Sequence, residues 1–192
     1  RDINYVVRTG SINAGHSFVH KGKKYKMQLI PCGWTNPRTK LVLGAGIYIH
    51  WDTLLREVGV INSVMGGDVR DRLFIDERAG VHLDSHHDAE RTDRIHERMG
   101  STGEGCMEAI IDKMRRDFTY KRFSECDSVD SFQIRDTVGM LNDAYDDGQS
   151  ILLEGTQGTM LDMHLGTYPY VTSRQTTAAA WIVATGTGPF WG

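Results

Sequence analysis

The chain has 192 residues, 40% hydrophobic and 24% charged, with a formal net charge of −3. That is an ordinary globular composition; it leaves no basic footprint for nucleic acid, and no apolar run approaches the roughly 20 residues a membrane helix needs. The three cysteines, Cys32, Cys106 and Cys126, are odd in number and widely spaced. They argue against a disulfide framework and for a reducing, cytoplasmic compartment, and the lack of a CxxC excludes a zinc ribbon on spacing. The opening residues, Arg1-Asp2-Ile3-Asn4, do not form a signal peptide and lack an initiating Met, which places the expected start upstream.

In chain order, Asn4 to Arg8 reads as a first strand, and Gly10 to His16 as a loop. Phe18 to Ile30 alternates around Lys21-Gly22, the pattern of a hairpin. Leu41-Val42-Leu43 reads as a short buried strand running into Gly44-Ala45-Gly46. Asp52 is placed to cap a short helix carrying Leu54, Leu55 and Val58. Leu73-Phe74-Ile75 is a further strand. Ser85-His86-His87-Asp88 fits a capping box opening a polar helix to about Arg98. Met107, Ile110, Ile111 and Met114 recur at helical spacing after the glycine loop Gly100 to Gly105, and Ile134, Val138, Leu141 and Tyr145 mark another helix stopped by Gly148. Ile151-Leu152-Leu153 reads as a buried strand end. Ala178 to Trp181 starts a helix with little room to complete before the terminal Gly186-Thr187-Gly188-Pro189-Phe190-Trp191-Gly192. Helices alternate with short apolar strands, so the expected class is α/β with a mostly parallel central sheet flanked by helices.

The most informative stretch is Glu154 to Ser173, EGTQGTMLDMHLGTYPYVTS. A strand end, a glycine-punctuated loop with Gln157, and a Tyr168-Pro169-Tyr170 turn delivering Thr172 and Ser173 follow one another. Strand ends followed by glycine loops are where α/β sheets bind ligands, and amides and hydroxyls suit a polar heterocycle or phosphate. Asn13-Ala14-Gly15-His16 offers a backbone carbonyl for a cation beside a histidine able to donate to a phosphate. On spacing alone it reads more readily as a hairpin-flanking turn with a surface histidine. The backbone of Gly100 to Gly105, with the Ser101 and Thr102 hydroxyls, reads equally as a phosphate cradle or a flexible turn, and no Gly-Lys-Ser/Thr follows to make it a Walker loop. Arg116 lies roughly 16 Å along the helix from that loop at ~1.5 Å per residue, too far to reach the same phosphate in cis. It reads as a helix-end cation or as a group serving a neighbouring subunit. His82 and His86 fall on opposite sides of the expected cap, so the His82, His86, His87, Asp88 group reads as a solvated helix start rather than a metal site.

Together these motifs resemble the adenylosuccinate synthetase family. The matching order is YVVR with NAGHS, KYKMQLIPCG, LVLGAG, LFID, GSTGEG with DKMRRD, EGTQGTMLD, and GTYPYVTSRQTT. One such motif is weak; seven in order over nearly the whole chain are specific. The resemblance implies a P-loop-related fold and a ligase that joins L-aspartate to C6 of a 6-oxopurine nucleotide, after the purine oxygen has been phosphorylated by ATP, dATP or GTP with Mg²⁺. It implies that Asn13, Ser101, Thr102, Gln157, Thr172 and Arg174 contact the purine nucleoside monophosphate, and that Arg116 reaches the nucleotide of the partner in a homodimer. His16 matches the catalytic histidine, and Gly15 a carbonyl ligand of Mg²⁺. Neither nucleic acid nor membrane is an expected partner. A nucleotide sensor that kept the pocket and lost turnover is the competing class; the retained His16 argues against it.

Several departures accompany the resemblance. Residues 1–192 read as one incomplete domain, without the family's N-terminal glycine loop, aspartate-binding loop and base-recognition segment. GTGPFWG resembles a segment normally well beyond YPYVTS, which implies an internal gap near 181–186. Glu104 replaces the arginine of GTTGRG, VTSSNTT appears as VTSRQTT with Arg174, and the spacer from Arg116 to Glu154 is short. These resemble the family's phage branch, which acts on dGMP in making 2-aminoadenine DNA, in the host cytoplasm. A compact ordinary member using IMP is the alternative.

Overall fold

The computed structural model describes residues 2–188, so Pro189 and Phe190 of the terminal GPF segment lie outside the described residues. Strand β1 (Tyr5–Gly10) is followed by a hairpin, β2 (His16–His20) and β3 (Lys23–Met27), then by β4 (Lys40–His50) and helix α1 (Trp51–Met65). β5 (Leu73–Asp76) and β6 (Gly80–His82) lead into α2 (Asp84–Thr92), α3 (Ile95–Met99) and α4 (Cys106–Arg115). β7 (Gln133–Arg135), α5 (Thr137–Asp146), β8 (Ile151–Glu154) and α6 (Ala178–Thr185) follow.

The main sheet runs β7-β5-β4-β1-β8, with β6 pairing the far end of β4, and every pairing is parallel. Alternation along β4 sends Leu41 and Leu43 to one face and Val42 to the other. Leu41 and Leu43 join Leu73, Ile75 and Trp34 in the core beneath α1, contributed by Leu54, Val58 and Ile61. Val42 joins Tyr5 and Val7 against Leu141 and Ala144 of α5. Helices thus cover both faces, as parallel strands require. The β2–β3 hairpin is held by Phe18 and Tyr25, whose rings meet the buried Trp34 edge-on at 5.4 and 5.5 Å.

Several local expectations are corrected. The strand expected at Leu41–Leu43 does not stop at Gly44-Ala45-Gly46; β4 continues to His50. Those glycines instead admit α6, since a Cβ on Gly46 would lie 2.7 Å from the Ala184 Cβ. α1 is capped by the His50 side chain, which accepts from Thr53 N–H, and Asp52 sits within the first turn. α2 opens at Asp84 after Leu83, whose N–H donates to His86 Nδ1 at 3.0 Å, so Ser85 is not the cap. The polar helix expected to reach Arg98 breaks at Arg94, which adopts a left-handed φ of 52°. Ile134 lies on β7 rather than on α5. Leu152 is exposed, because β8 is the edge strand among the described residues. α6 does complete: Thr177 caps it, Gly186 ends it in the left-handed region, and Asn142 of α5 ties down the chain beyond through Gly186 O and Gly188 N–H.

Two buried polar residues hold this frame. Glu57 of α1 accepts from the N–H groups of Gln28 at 2.5 Å, Leu29 at 3.1 Å and Ile30 at 2.8 Å, so it closes the hairpin's exit onto the sheet. Burial pushes its carboxyl up, opposed by those three N–H groups. Removing the carboxylate strands buried donors at about 1–3 kcal/mol each. Glu57→Ala should therefore lower the melting temperature by about 6–12 °C, since roughly 3 kcal/mol is lost and each costs 2–4 °C at this size. Thermal unfolding followed by circular dichroism checks this, and an unchanged midpoint would refute it. His82 of β6 is buried against Ser11 Oγ at 2.9 Å. Burial first, then repulsion from His87, His86 and His50, pulls its pKa from 6.5 down to about 3. The unfolded chain then takes the proton first as pH falls, so stability should be lost below pH 6.5 and towards pH 3. Denaturant midpoints of the wild type should fall with acidification more steeply than those of His82→Gln; equal slopes would contradict the assignment.

Candidate active site

The site is built where β1 and β8 end side by side, with Arg8 in register with Glu154. Arg8 is 1% exposed. Its guanidinium donates to Gln28 O at 3.0 Å, Ala14 O at 2.8 Å and Glu154 Oε1 at 3.1 Å. Glu154 Oε2 accepts from Cys32 N–H at 2.8 Å, and Oε1 lies 2.5 Å from His16 Nδ1. Burial alone would raise the Glu154 pKa, but the His16 hydrogen bond and charge, Arg8 and the Cys32 N–H together hold it below the ordinary carboxylate value. The carboxylate therefore assigns the ring proton of His16 to Nδ1. Nε2 is buried and has no hydrogen-bond partner. Cys32 Sγ lies 2.9 Å from His16 Nδ1. Burial first, then Glu154, pushes its thiol up to about 12, so it stays protonated and is no nucleophile.

Beside this network lies a cavity of about 940 Å³. One wall is Asn13, Ala14 and Gly15; a second is Gly100, Ser101, Thr102 and α4; the third is Gln157 and the segment from Tyr168 to Ser173. The structure thus brings Asn13, Gly15, Ser101, Thr102, Gln157 and Thr172 to one cavity from three distant segments. Gly15 is exposed, and the Lys26 side chain packs where a Cβ would be, 2.5 Å from Cε. Gln157 holds a left-handed φ of 59°, costing of order 1 kcal/mol for a non-glycine residue, and its amide oxygen accepts from Thr156 Oγ1. Met107, Ile110, Ile111 and Met114 form the cavity's apolar side; the fully buried contacts of α4 are Cys106 and Ala109.

His16, Arg116 and Arg174 do not line this cavity. His16 follows Gly15 in the chain, at the start of β2. Arg116 ends α4 with a left-handed φ of 54° and is exposed. Arg174 turns beneath the loop, its guanidinium carbon 5.7 Å from the Tyr48 ring centroid and Nη1 against Gly10. Burial pulls its pKa below the ordinary arginine value.

Sequence reasoning missed the carboxylates that hold these walls. Glu90 of α2, buried, accepts from Ser101 Oγ and Gly105 N–H, so the Ser101 hydroxyl is engaged inside the loop. Gly105 is required there, because a Cβ would lie 2.4 Å from the His86 carbonyl carbon. Asp162 accepts from His164 N–H at 2.9 Å, Leu165 N–H at 3.1 Å and Thr176 N–H at 2.5 Å, clasping the loop from Gly155 to Thr176. Those N–H bonds hold its carboxyl below the usual range. The available signals were Asp162, an acid inside an otherwise apolar and glycine-rich segment, and the strand-end position of Glu154; Glu90, in the charged run of α2, offered none.

A family model described as adenylosuccinate synthetase matches residues 1–121 and 118–190. The adenylosuccinate synthetase of Methanococcus aeolicus is 37% identical over 98% of the chain and 55% of its own length. That of Methanocaldococcus jannaschii is 35% identical over 98% and 54%. Among solved structures, the fully ligated adenylosuccinate synthetase from Plasmodium falciparum superposes with a TM-score of 0.84 at 25% identity, covering 97% of this chain and 53% of that one. The succinoaminodeoxyadenylate synthetase of cyanophage S-2L, bound to dGMP and to dATP as energy donor, gives 0.83 at 30% identity over 96% and 52%. The chain spans about half the length of the curated relatives it matches. With its parallel sheet, its three-walled cavity and a family match running from residue 1 to residue 190, the chain belongs to the adenylosuccinate synthetase family.

Proposed function

We propose that this chain carries the purine-nucleotide side of a carbon–nitrogen ligase acting on dGMP and L-aspartate. The observation that carries the reading is the His16 Nε2, buried and unpartnered, beside a cavity lined by Asn13, Thr102, Gln157 and Thr172. As N1 of the purine loses its proton, O6 attacks the γ-phosphorus of a nucleoside triphosphate, ATP, dATP or GTP, and the diphosphate leaves. The aspartate amine then adds at C6, O6 departs with inorganic phosphate, and the nitrogen loses a proton. Glu154 orients His16 through Nδ1, and Nε2 serves the transferring phosphoryl group as the proton-transfer atom. Asn13, Thr102, Gln157 and Thr172 hold the monophosphate. The Gly15 carbonyl is a hard oxygen donor of the kind Mg²⁺ accepts and would be the group of this chain that holds it. When bound, Mg²⁺ offsets charge on the phosphoryl oxygens.

Three features support dGMP: Glu104 in GSTGEG, Arg174 in VTSRQTT, and the short spacer from Arg116 to Glu154. The likeness to the cyanophage enzyme agrees with this. IMP is the second reading, favoured by the curated relatives at 37% and 35% identity. The exposed Arg116, at the end of α4, is proposed to reach the nucleotide of a second subunit in a homodimer.

The test mixes the full-length protein with dGMP or IMP, L-aspartate, Mg²⁺ and ATP, dATP or GTP, and follows phosphate release. Release with dGMP is expected. Release with IMP alone would replace the substrate assignment, and release with neither would remove the ligase reading. His16→Ala should lower kcat by about 100-fold or more with little change in KM, the usual scale for a lost acid–base group. Gln157→Ala should instead raise KM for the monophosphate by about tenfold, as for one lost hydrogen bond. Steady-state kinetics separates the two patterns.

A further inference from the structure

Away from the cavity, β4 and α2 bring together a group of side chains that the proposed reaction does not use. His50 ends β4 and caps α1, while Asp84 and His87 belong to the first turns of α2. One nitrogen of each histidine and one oxygen of Asp84 all lie within 4.8 Å of one another. His50 Nε2 is 3.0 Å from Asp84 Oδ1, and the His50 and His87 rings meet edge-on with centroids 5.5 Å apart. We propose that His50, Asp84 and His87 form a binding site for a divalent transition-metal ion of the Zn²⁺ class, with water as its fourth ligand.

The donor set decides the class of ion. Two imidazole nitrogens and one carboxylate suit Zn²⁺ and its neighbours, whereas Mg²⁺ takes oxygen donors. In a tetrahedral site with bonds of about 2.0–2.1 Å the donors stand roughly 3.3 Å apart, so a small closure of the cluster completes it. The two imidazoles are preset, their side chains 15% and 16% exposed. The Asp84 side chain is 88% exposed and free to swing in, and it leaves a face open to water. Among the described residues Asp84 has no lysine or arginine partner; its ion pair is with His50.

The surroundings fit as well. Metal binding at His50 Nε2 moves that ring's proton to Nδ1, where Thr53 Oγ1 at 3.2 Å accepts it in exchange for the long 3.4 Å capping bond from Thr53 N–H. Glu104 Oε2 stands 4.0 Å from His87 Nδ1, a carboxylate behind a ligating ring. His82 stacks on His87 at 5.1 Å and packs edge-on to His50 at 5.8 Å. It serves as a wall rather than a ligand, since it is not among the three residues whose donor atoms converge within 4.8 Å. The bound ion would join the end of β4 to the start of α2, the helix whose Glu90 holds the Ser101–Gly105 loop of the cavity.

The test uses the full-length protein stripped of metal with a chelator. Co²⁺ is the spectroscopic probe and Zn²⁺ the calorimetric one. One equivalent should bind with a dissociation constant of about 10 μM or tighter, raising the melting temperature at saturation by mass action. Bound Co²⁺ should show the visible bands of a low-coordinate nitrogen–oxygen site without a thiolate charge-transfer band. His87→Ala should weaken binding by about 100-fold and Asp84→Asn by about tenfold, as loss of a direct ligand does. Asp84→Asn changes an exposed side chain, so it tests the site even if His87→Ala fails to fold. A dissociation constant weaker than about 1 mM would overturn the proposal, being too weak to stabilise the fold at ordinary metal levels. So would binding unchanged in Asp84→Asn, or a thiolate band lost in Cys32→Ser, which would place the ion at His16, Cys32 and Glu154 instead.

Discussion

A guanidinium buried at the end of a parallel strand must find an acceptor for every donor it presents, and Arg8 is such a group. Its partners are Gln28 O from the hairpin's exit, Ala14 O from the loop after β1, and Glu154 from the end of β8. Glu154 in turn takes the Cys32 N–H and His16 Nδ1. One ion pair thereby ties together five separate stretches of chain. Breaking either partner alone leaves an uncompensated buried charge, which typically costs about 3–5 kcal/mol. The same pair sets the direction of His16: with Nδ1 committed to the carboxylate, Nε2 is the nitrogen left without a partner.

The remaining walls follow one device, a carboxylate that accepts backbone N–H groups of a distant loop. Glu57 closes residues 28–30 onto α1, Glu90 folds the loop of Ser101 and Gly105 onto α2, and Asp162 clasps residues 164–176. Glycine-rich loops have little apolar surface to bury, so they cannot be held by packing. Anchoring by a single buried acid supplies acceptors for the loop's own donors and fixes its path. The cavity is consequently shaped by acids that need not touch a ligand. Its hydroxyls and amides, at Thr102, Gln157 and Thr172, are presented by loops made rigid from behind.

Much of this was legible in the residues. Apolar strands alternating with helical spacing gave the parallel α/β sheet, and the hairpin around Lys21-Gly22 formed where its alternation placed it. Asn13, Thr102, Gln157 and Thr172 were named from motifs and do share a cavity. Other readings failed for a local reason. Gly44-Ala45-Gly46 carries the composition of a strand end, yet β4 runs through it because α6 needs the space. The histidines around residue 86 read as a solvated start, yet His82 and His86 are buried, because β6 and α2 fold them inward against partners far away in the chain.

The sequence by itself determined the class of fold, the family, and most of the polar residues that line the cavity, because periodicity and ordered motifs are local in the chain. Only the tertiary structure decided which acid serves which loop, which nitrogen of His16 is left free, and that Arg174 turns under Tyr48 instead of lining the cavity. Those outcomes depend on partners as much as 146 positions apart, as Arg8 and Glu154 are. Spacing along a chain records which residues can share a helix face or a strand edge. It carries no record of which charges meet once several strands end at the same place.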